Sequence, residues 1–216
     1  MADKYVVFLE ENTKDIDTVC ELGAGVFKNF ANYKCETKIG IEIVPAYVKH
    51  RQYAQCEAII GDALKFEEFL EDKEIDAFAC IDFIEHLEKD VAIDLIKRMQ
   101  AKANRIFIYT PHGTCNMDGN AGSVWSNEGA WGGKVGEDRQ LAIESQRHKS
   151  TWFVDDLLQL DFAVDRDAER LARDAKPTAL YGEDGGDVIW AVWNKDKDTP
   201  LPVGYDKASE FKWRTS

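Results

Sequence analysis

No apolar run in this chain approaches the roughly 20 residues that a membrane-spanning helix needs. No signal-peptide pattern opens it. Basic residues are in deficit: 27 Lys and Arg stand against 40 Asp and Glu, a formal net charge of -13. A surface this acidic repels phosphate backbones at long range and disfavours nucleic acid as a partner. The basic clusters, Lys97-Arg98 and Arg147-His148-Lys149, are too short for a nucleic-acid stripe. The five cysteines (Cys20, Cys35, Cys56, Cys80, Cys115) form no C-x-x-C pair and are odd in number. Cys20, Cys56 and Cys80 lie in or beside apolar, strand-like runs, which reads as buried free thiols in a reducing compartment, the cytoplasm. His/Cys pairs at the short spacing of a zinc site are missing, so no metal is expected.

What is present describes an ordinary globular chain: 216 residues, 44% hydrophobic and 31% charged. One domain is the default at this length, over residues 1–195, with 196–216 as a polar tail. Apolar, β-branched runs alternate with helical stretches through the first half. "DTVCEL", "TKIGIEI", "CEAIIGD", "IDAFACID" and "NRIFIYT" read as strands. Helices are predicted over 25–32, 45–54, 63–72 and 87–102. Such alternation implies βαβ units with right-handed crossovers and a parallel sheet covered on both faces. Residues 113–136 hold seven of the fifteen glycines together with Trp125 and Trp131, so 112–150 reads as a loop or a substrate lid. A helix over "STWFVDDLLQL", capped by Ser150 or Thr151, and strands at "DFAV" and "DVIWAVWN" follow.

The stretch "TVCELGAGVFKNF" looks like a strand, a glycine turn and a helix start. In open α/β sheets, ligands bind beyond the carboxyl ends of the strands. A dinucleotide site would want G-x-G-x-x-G, but lysine (Lys28) stands at the third glycine position after Gly23 and Gly25. No G-K-[ST] of a phosphate loop follows. Acids recur instead at four successive strand ends: Glu21, Glu42, Asp62 and Asp82. Glu42 can accept both hydroxyls of a ribose, and Asp62 with Ala63 can offer a carboxylate and a backbone N–H to an adenine edge. Glu21 would repel a pyrophosphate and suits a ligand with a cationic part. Taken singly, each acid also reads as a helix cap or a solvated loop charge.

With these residues in place, the sequence resembles the class I S-adenosylmethionine-dependent methyltransferases, in their small-molecule branch. "ELGAGVF" resembles the first motif, "IGIEIV" the acidic loop after the second strand, and "IIGDAL" the adenine-side motif. "AFACIDFIEHLEK" is similar to the fourth-strand segment, and "RHKSTWFVDDLLQLDFAV" to the late helix and strand. Phe27 and Asp161 stand where the family often has glycine. The resemblance implies a Rossmann-like three-layer α/β/α sandwich with a seven-stranded, mostly parallel sheet whose last strand is antiparallel. It implies S-adenosyl-L-methionine as cofactor. Glu21, Gly23 and Gly25 would line its methionine part, Glu42 its ribose, Asp62 and Ala63 its adenine, and Asp82 and Phe83 would close over the methionine.

Methyl transfer needs an in-line nucleophile and a dry site. A hydroxyl or acidic nitrogen acceptor also needs a base, which histidine supplies near neutral pH. His112 and His148 flank the expected acceptor pocket and are the candidates, with loop packing as the plain alternative. His86, at a helix start, reads as a capping residue or a ligand contact, and His50 as surface. Trp125, Trp131 and Trp152 read as core or lid packing, or as platforms for a sugar or aromatic ring. With no "NPPY" signature, a small-molecule or glycan acceptor is expected over nucleic acid. Two other readings stand. One is a methyltransferase-like scaffold without turnover. The other is a short-chain nicotinamide oxidoreductase, which would need a Tyr-x-x-x-Lys pair that the chain lacks.

Overall fold

The computed structural model describes residues 4–113, 136–165, 188–202 and 204–207. Its strands are β1 (Thr18–Leu22), β2 (Thr37–Glu42), β3 (Glu57–Ile60), β4 (Ala77–Ile81), β5 (Arg105–Pro111), β6 (Ala163–Asp165), β7 (Val188–Asn194) and β8 (Tyr205–Asp206). The helices are α1 (Lys4–Glu11), α2 (Pro45–Lys49), α3 (Phe66–Phe69), α4 (Lys89–Lys102), α5 (Arg139–Ser145) and α6 (Val154–Gln159). One sheet forms in the order β3-β2-β1-β4-β5-β7-β6-β8. Strands β1 to β5 run parallel, and β7 pairs antiparallel with β5.

The α/β class, the parallel core and the antiparallel β7 match the expectation. Among the described residues the sheet has eight strands rather than seven. The extra one is the two-residue β8, which pairs with β6 inside the stretch read as a tail. It covers a backbone edge that β6 would otherwise expose. Its Tyr205 ring stacks on Phe8 at 6.3 Å.

Alternation along each strand divides the core between two faces. Cys20, Leu22, Ile39, Ile41, Phe78, Cys80, Ile106 and Ile108 face α3, α4 and α6. Val19, Ala77, Ala79, Ile81 and Phe107 face α1 and the segment around Phe27, Phe30 and Tyr33. The described cysteines Cys20, Cys35, Cys56 and Cys80 are free thiols. Cys115 lies outside the described residues, as do Trp125, Trp131 and most of the loop or lid read at 112–150. Among the described residues no helix is long and apolar enough to cross a membrane.

Several helices are shorter than their patterns predict. Residues 28–31 form a 3-10 turn, and α2 stops at Lys49, after which the Gln52 N–H turns to the Val26 carbonyl at 2.7 Å. The predicted 63–72 helix divides into a 3-10 turn at Ala63–Lys65 and the four-residue α3. The late helix is not capped by Ser150 or Thr151. It starts at Val154, where the Asp156 carboxylate accepts the Phe153 N–H at 2.8 Å. Helix α1 carried too short an apolar stripe to read: only Phe8 and Leu9 are buried.

Both departures from the family's glycines keep a glycine-like backbone. Phe27 has φ 61° and Asp161 φ 65°. The Asp161 N–H returns to the Leu158 carbonyl at 3.1 Å as the chain leaves α6. Phe27 is fully buried, and the missing side chain of Gly40 makes room for its ring. A Cβ at Gly40 would stand 2.4 Å from Phe27 Cε1 and 2.8 Å from Phe30 Cζ. Gly40→Ala therefore overpacks the face under the glycine turn. We expect a loss of about 1–3 kcal/mol in chemical denaturation. A neutral result would show that the two rings move aside freely.

Candidate functional site

Because β1 to β4 are parallel, their carboxyl ends share one edge of the sheet. The glycine turn leaves β1 there, with Gly23 at φ 70° and Gly25 at φ 54°. The N–H groups of Gly23 and Ala24 both donate to the Ile41 carbonyl, at 3.0 and 3.1 Å. The turn is thereby fixed to β2. A Cβ at Gly25 would meet nothing within 4 Å, so the backbone there faces open space. Gly23 is different: a Cβ would fall 2.3 Å from the Phe83 ring, which lies directly against it. Phe83 follows Asp82, whose φ of 50° turns the chain sharply out of β4. The structure thus brings Gly23 and Phe83 together.

Glu42 ends β2 and is 5% exposed. One carboxylate oxygen accepts the Gly25 N–H at 2.7 Å, and the other accepts the Val44 N–H at 2.8 Å. Burial raises its pKa, and these backbone donors oppose the rise. Each oxygen keeps a second lone pair for a ligand hydroxyl. Beside it the Tyr47 hydroxyl is buried without a partner, its pKa pushed up to about 12 by burial and by the Glu42 charge. Nothing in the sequence signals Tyr47, because an aromatic residue in a short amphipathic helix reads as core. Asp62 caps its own turn, accepting the Leu64 N–H at 2.9 Å, and Ala63 is buried behind it. Ile43 and Ile60, 38% and 55% exposed, give this edge apolar surface next to Glu42.

Glu21 is the next-to-last residue of β1, close enough to Glu42 for the two charges to interact. It is 1% exposed and faces the side of Phe30 and Tyr33. Its carboxylate accepts Asn29 Nδ2–H at 2.6 Å and the Tyr33 hydroxyl at 2.7 Å, and the Tyr5 hydroxyl donates to Asn29 Oδ1. Burial pushes its pKa up to about 8 against those donors.

Part of the 112–150 segment reaches this edge. Asp138 accepts the Ala46 N–H at 2.9 Å, and Ala142 of α5 packs with Val26, Val44 and Tyr47. The next stretch is anchored beyond β4. The Lys149 and Ser150 N–H groups donate to the Glu85 carbonyl at 2.8 and 3.1 Å. His148 therefore meets His86, ring centroids 4.8 Å apart and edge to face. Glu85 is 2% exposed and accepts the Thr110 hydroxyl at 2.9 Å through Oε2. Burial raises its pKa to about 7 and lowers that of His86 to about 4. His112 lies at the end of β5 with its ring against Phe153, centroids 5.6 Å apart. Of the two candidate bases, only His148 joins this group. Glu85 and Thr110 were missed in the sequence: they meet His148 only through the fold, across 62 and 37 intervening residues.

No protein-family model matches the sequence, and no curated protein matches it. Solved structures do. A SAM-dependent methyltransferase from Archaeoglobus fulgidus is 17% identical, with a TM-score of 0.53 over 84% of this chain and 87% of that one. The N-terminal domain of EvdMO1, crystallised with SAH bound, is 13% identical, with a TM-score of 0.54 over 90% of this chain and 82% of that one. The small RNA methyltransferase HEN1 is 15% identical, with a TM-score of 0.52 over 94% of this chain but 27% of its own. The large, mostly parallel sheet with its last strands antiparallel agrees with these likenesses. This chain has the class I SAM-dependent methyltransferase fold.

Proposed function

We propose that this chain transfers a methyl group from S-adenosylmethionine to oxygen or nitrogen of a small-molecule or glycan acceptor. The observation that carries the reading is Glu42. A buried carboxylate is fixed at the end of β2, tied to the Gly25 N–H, beside a backbone turn open to a ligand. Glu42 would take the ribose hydroxyls, with Tyr47 near. Asp62 and Ala63 would take the adenine edge between the exposed apolar side chains Ile43 and Ile60. Gly23, Gly25, Asp82 and Phe83 would surround the methionine part, where carboxylates suit the cationic sulfonium and amino groups. Glu21 would support the turn from behind through Asn29 and Tyr33. His112 and His148 would face the acceptor. One structural relative is named for small RNA, but the net charge of -13 favours an uncharged or cationic acceptor here.

A thermal melt with S-adenosylhomocysteine tests the reading, with NAD and NADP as parallel controls. At a hundred times its dissociation constant the ligand stabilises by about 2.7 kcal/mol. At this size that is a rise in Tm of about 5–10 °C. Glu42→Ala should abolish the rise. It also lowers the starting Tm, since the Gly25 and Val44 N–H groups lose their acceptor, so the shift is compared rather than the absolute Tm. A rise with NAD alone would sink the reading in favour of an oxidoreductase. No rise with any of the three would favour a scaffold.

A further inference from the structure

We propose that Glu85, His86 and His148 form a divalent-cation site beyond the carboxyl ends of β4 and β5. Each offers one ligand atom, and all three atoms lie within 4.8 Å of one another. Glu85 Oε1 is buried and has no hydrogen-bond partner. Among the described residues no Lys or Arg forms an ion pair with Glu85. A buried carboxylate oxygen in this state calls for a proton or a cation, and two imidazoles beside it make a metal ion the fitting occupant. Ligands held about 2.1 Å from an ion stand about 3–4 Å apart, so the three groups need to close by about an ångström.

The surroundings already orient each ligand in the manner of a metal site. The Thr110 hydroxyl holds Glu85 Oε2 and leaves Oε1 without a partner. The Arg147 carbonyl lies 3.3 Å from His86 Nδ1; in the tautomer that donates to it, the lone pair for the ion is on Nε2. The bonds from Lys149 and Ser150 to the Glu85 carbonyl place His148 next to its partners. Two nitrogens and one carboxylate oxygen suit Mn2+, Fe2+, Co2+ or Zn2+ better than Ca2+. Three protein ligands leave positions open for water or substrate oxygen. The expectation of no metal, drawn from short His/Cys spacing, could not register a site that the fold assembles from residues 63 positions apart.

Resting on the methyl-transfer reading, the cation assigns the acceptor as a hydroxyl. A divalent ion lowers the pKa of an oxygen bound to it. The hydroxyl proton leaves to water and the oxygen lone pair forms the new O–C bond. The S–C bond of the sulfonium breaks with its electron pair retained on sulfur, leaving a neutral thioether.

The test is titration of chelator-treated protein with Co2+, followed by visible absorption. One ion per chain is expected. His148→Ala and Glu85→Gln should each weaken binding by about tenfold or more, and Thr110→Val should weaken it by about 10–100-fold. His148 is on the surface side of the site, so its variant should keep the circular dichroism of the metal-free protein. Absence of the Co2+ bands, or equal affinity in the folded His148→Ala variant, overturns the site. The thermal melt with S-adenosylhomocysteine is run on the same samples. Co2+ binding without that shift removes the methyl-transfer reading and the hydroxyl acceptor with it, and leaves the cation site standing.

Discussion

Trp152→Ala is expected to destabilise the fold by about 3–5 kcal/mol, lowering Tm by roughly 8–15 °C. Trp152 is fully buried, among α4, α6 and the strands they cover. The residue also joins three chain segments, two through its ring and one through its backbone carbonyl. The Lys89 ammonium stands 3.7 Å from the ring centroid, a cation–π contact, and also donates to the Thr151 carbonyl at 2.7 Å and to Asp156 at 2.6 Å. The indole N–H donates to Ser150 Oγ at 3.0 Å, and Ser150 Oγ reaches the Ile84 carbonyl at 3.3 Å. The Trp152 carbonyl accepts the Gly113 N–H at 2.8 Å, beside His112. Emptying the ring's volume leaves a cavity and releases the segment that carries His148. Loss of Co2+ affinity should accompany the loss of stability. Trp152→Phe keeps most of the buried area and loses the N–H bond, for about 1–2 kcal/mol. Urea unfolding measures both. A Trp152→Ala cost under about 1 kcal/mol would mean that the ring is not the anchor of this segment.

The contrast between Trp152 and the strands shows what a sequence makes legible. β4 is wholly apolar and buried throughout, and β1, β2 and β5 carry apolar residues through their buried stretches, so the runs announce themselves. Gly23, Gly25 and Glu42 were legible because a strand–turn–helix needs particular residue types at fixed offsets. Phe27 and Asp161 were harder. Their positive φ belongs to the fold, while the residues reflect local support: Gly40 makes room for the Phe27 ring, and Lys197 pairs with Asp161. The two-residue β8 has no pattern to detect, since its pairing depends on where β6 lies. The Glu85, His86 and His148 group was illegible for the same reason. Spacing rules detect ligands on one element, and this group needs two backbone bonds from 149 and 150 to the Glu85 carbonyl. The burial of Glu21 was also beyond the sequence, since only the fold puts Asn29 and Tyr33 on its oxygens.

That burial gives Glu21 a measurable signature. Its ordinary pKa of 4.5 is raised to about 8 in the folded protein, chiefly by burial. Between those values the folded chain holds a proton that the unfolded chain has released. The contribution to stability is therefore complete below about pH 4.5 and declines as pH rises toward 8. Each unit of difference is about 1.4 kcal/mol, so the decline amounts to several kcal/mol across the window. Glu21→Gln removes the titrating group and keeps a side chain of the same shape. The amide oxygen can accept from Asn29, and the amide N–H can donate to a rotated Tyr33 hydroxyl. The variant should show a flatter stability profile between pH 5 and 8 and should exceed the parent chain in stability at pH 8. Urea unfolding at half-unit pH intervals reads the slope directly. A profile unchanged by the substitution would mean that Glu21 stays ionised in the fold, its charge carried by Asn29 and Tyr33. S-Adenosylhomocysteine affinity measured on the same variant then fixes its role. Affinity within about threefold of the parent, or under ~1 kcal/mol, places Glu21 behind the turn, and a larger loss places its carboxylate against the ligand.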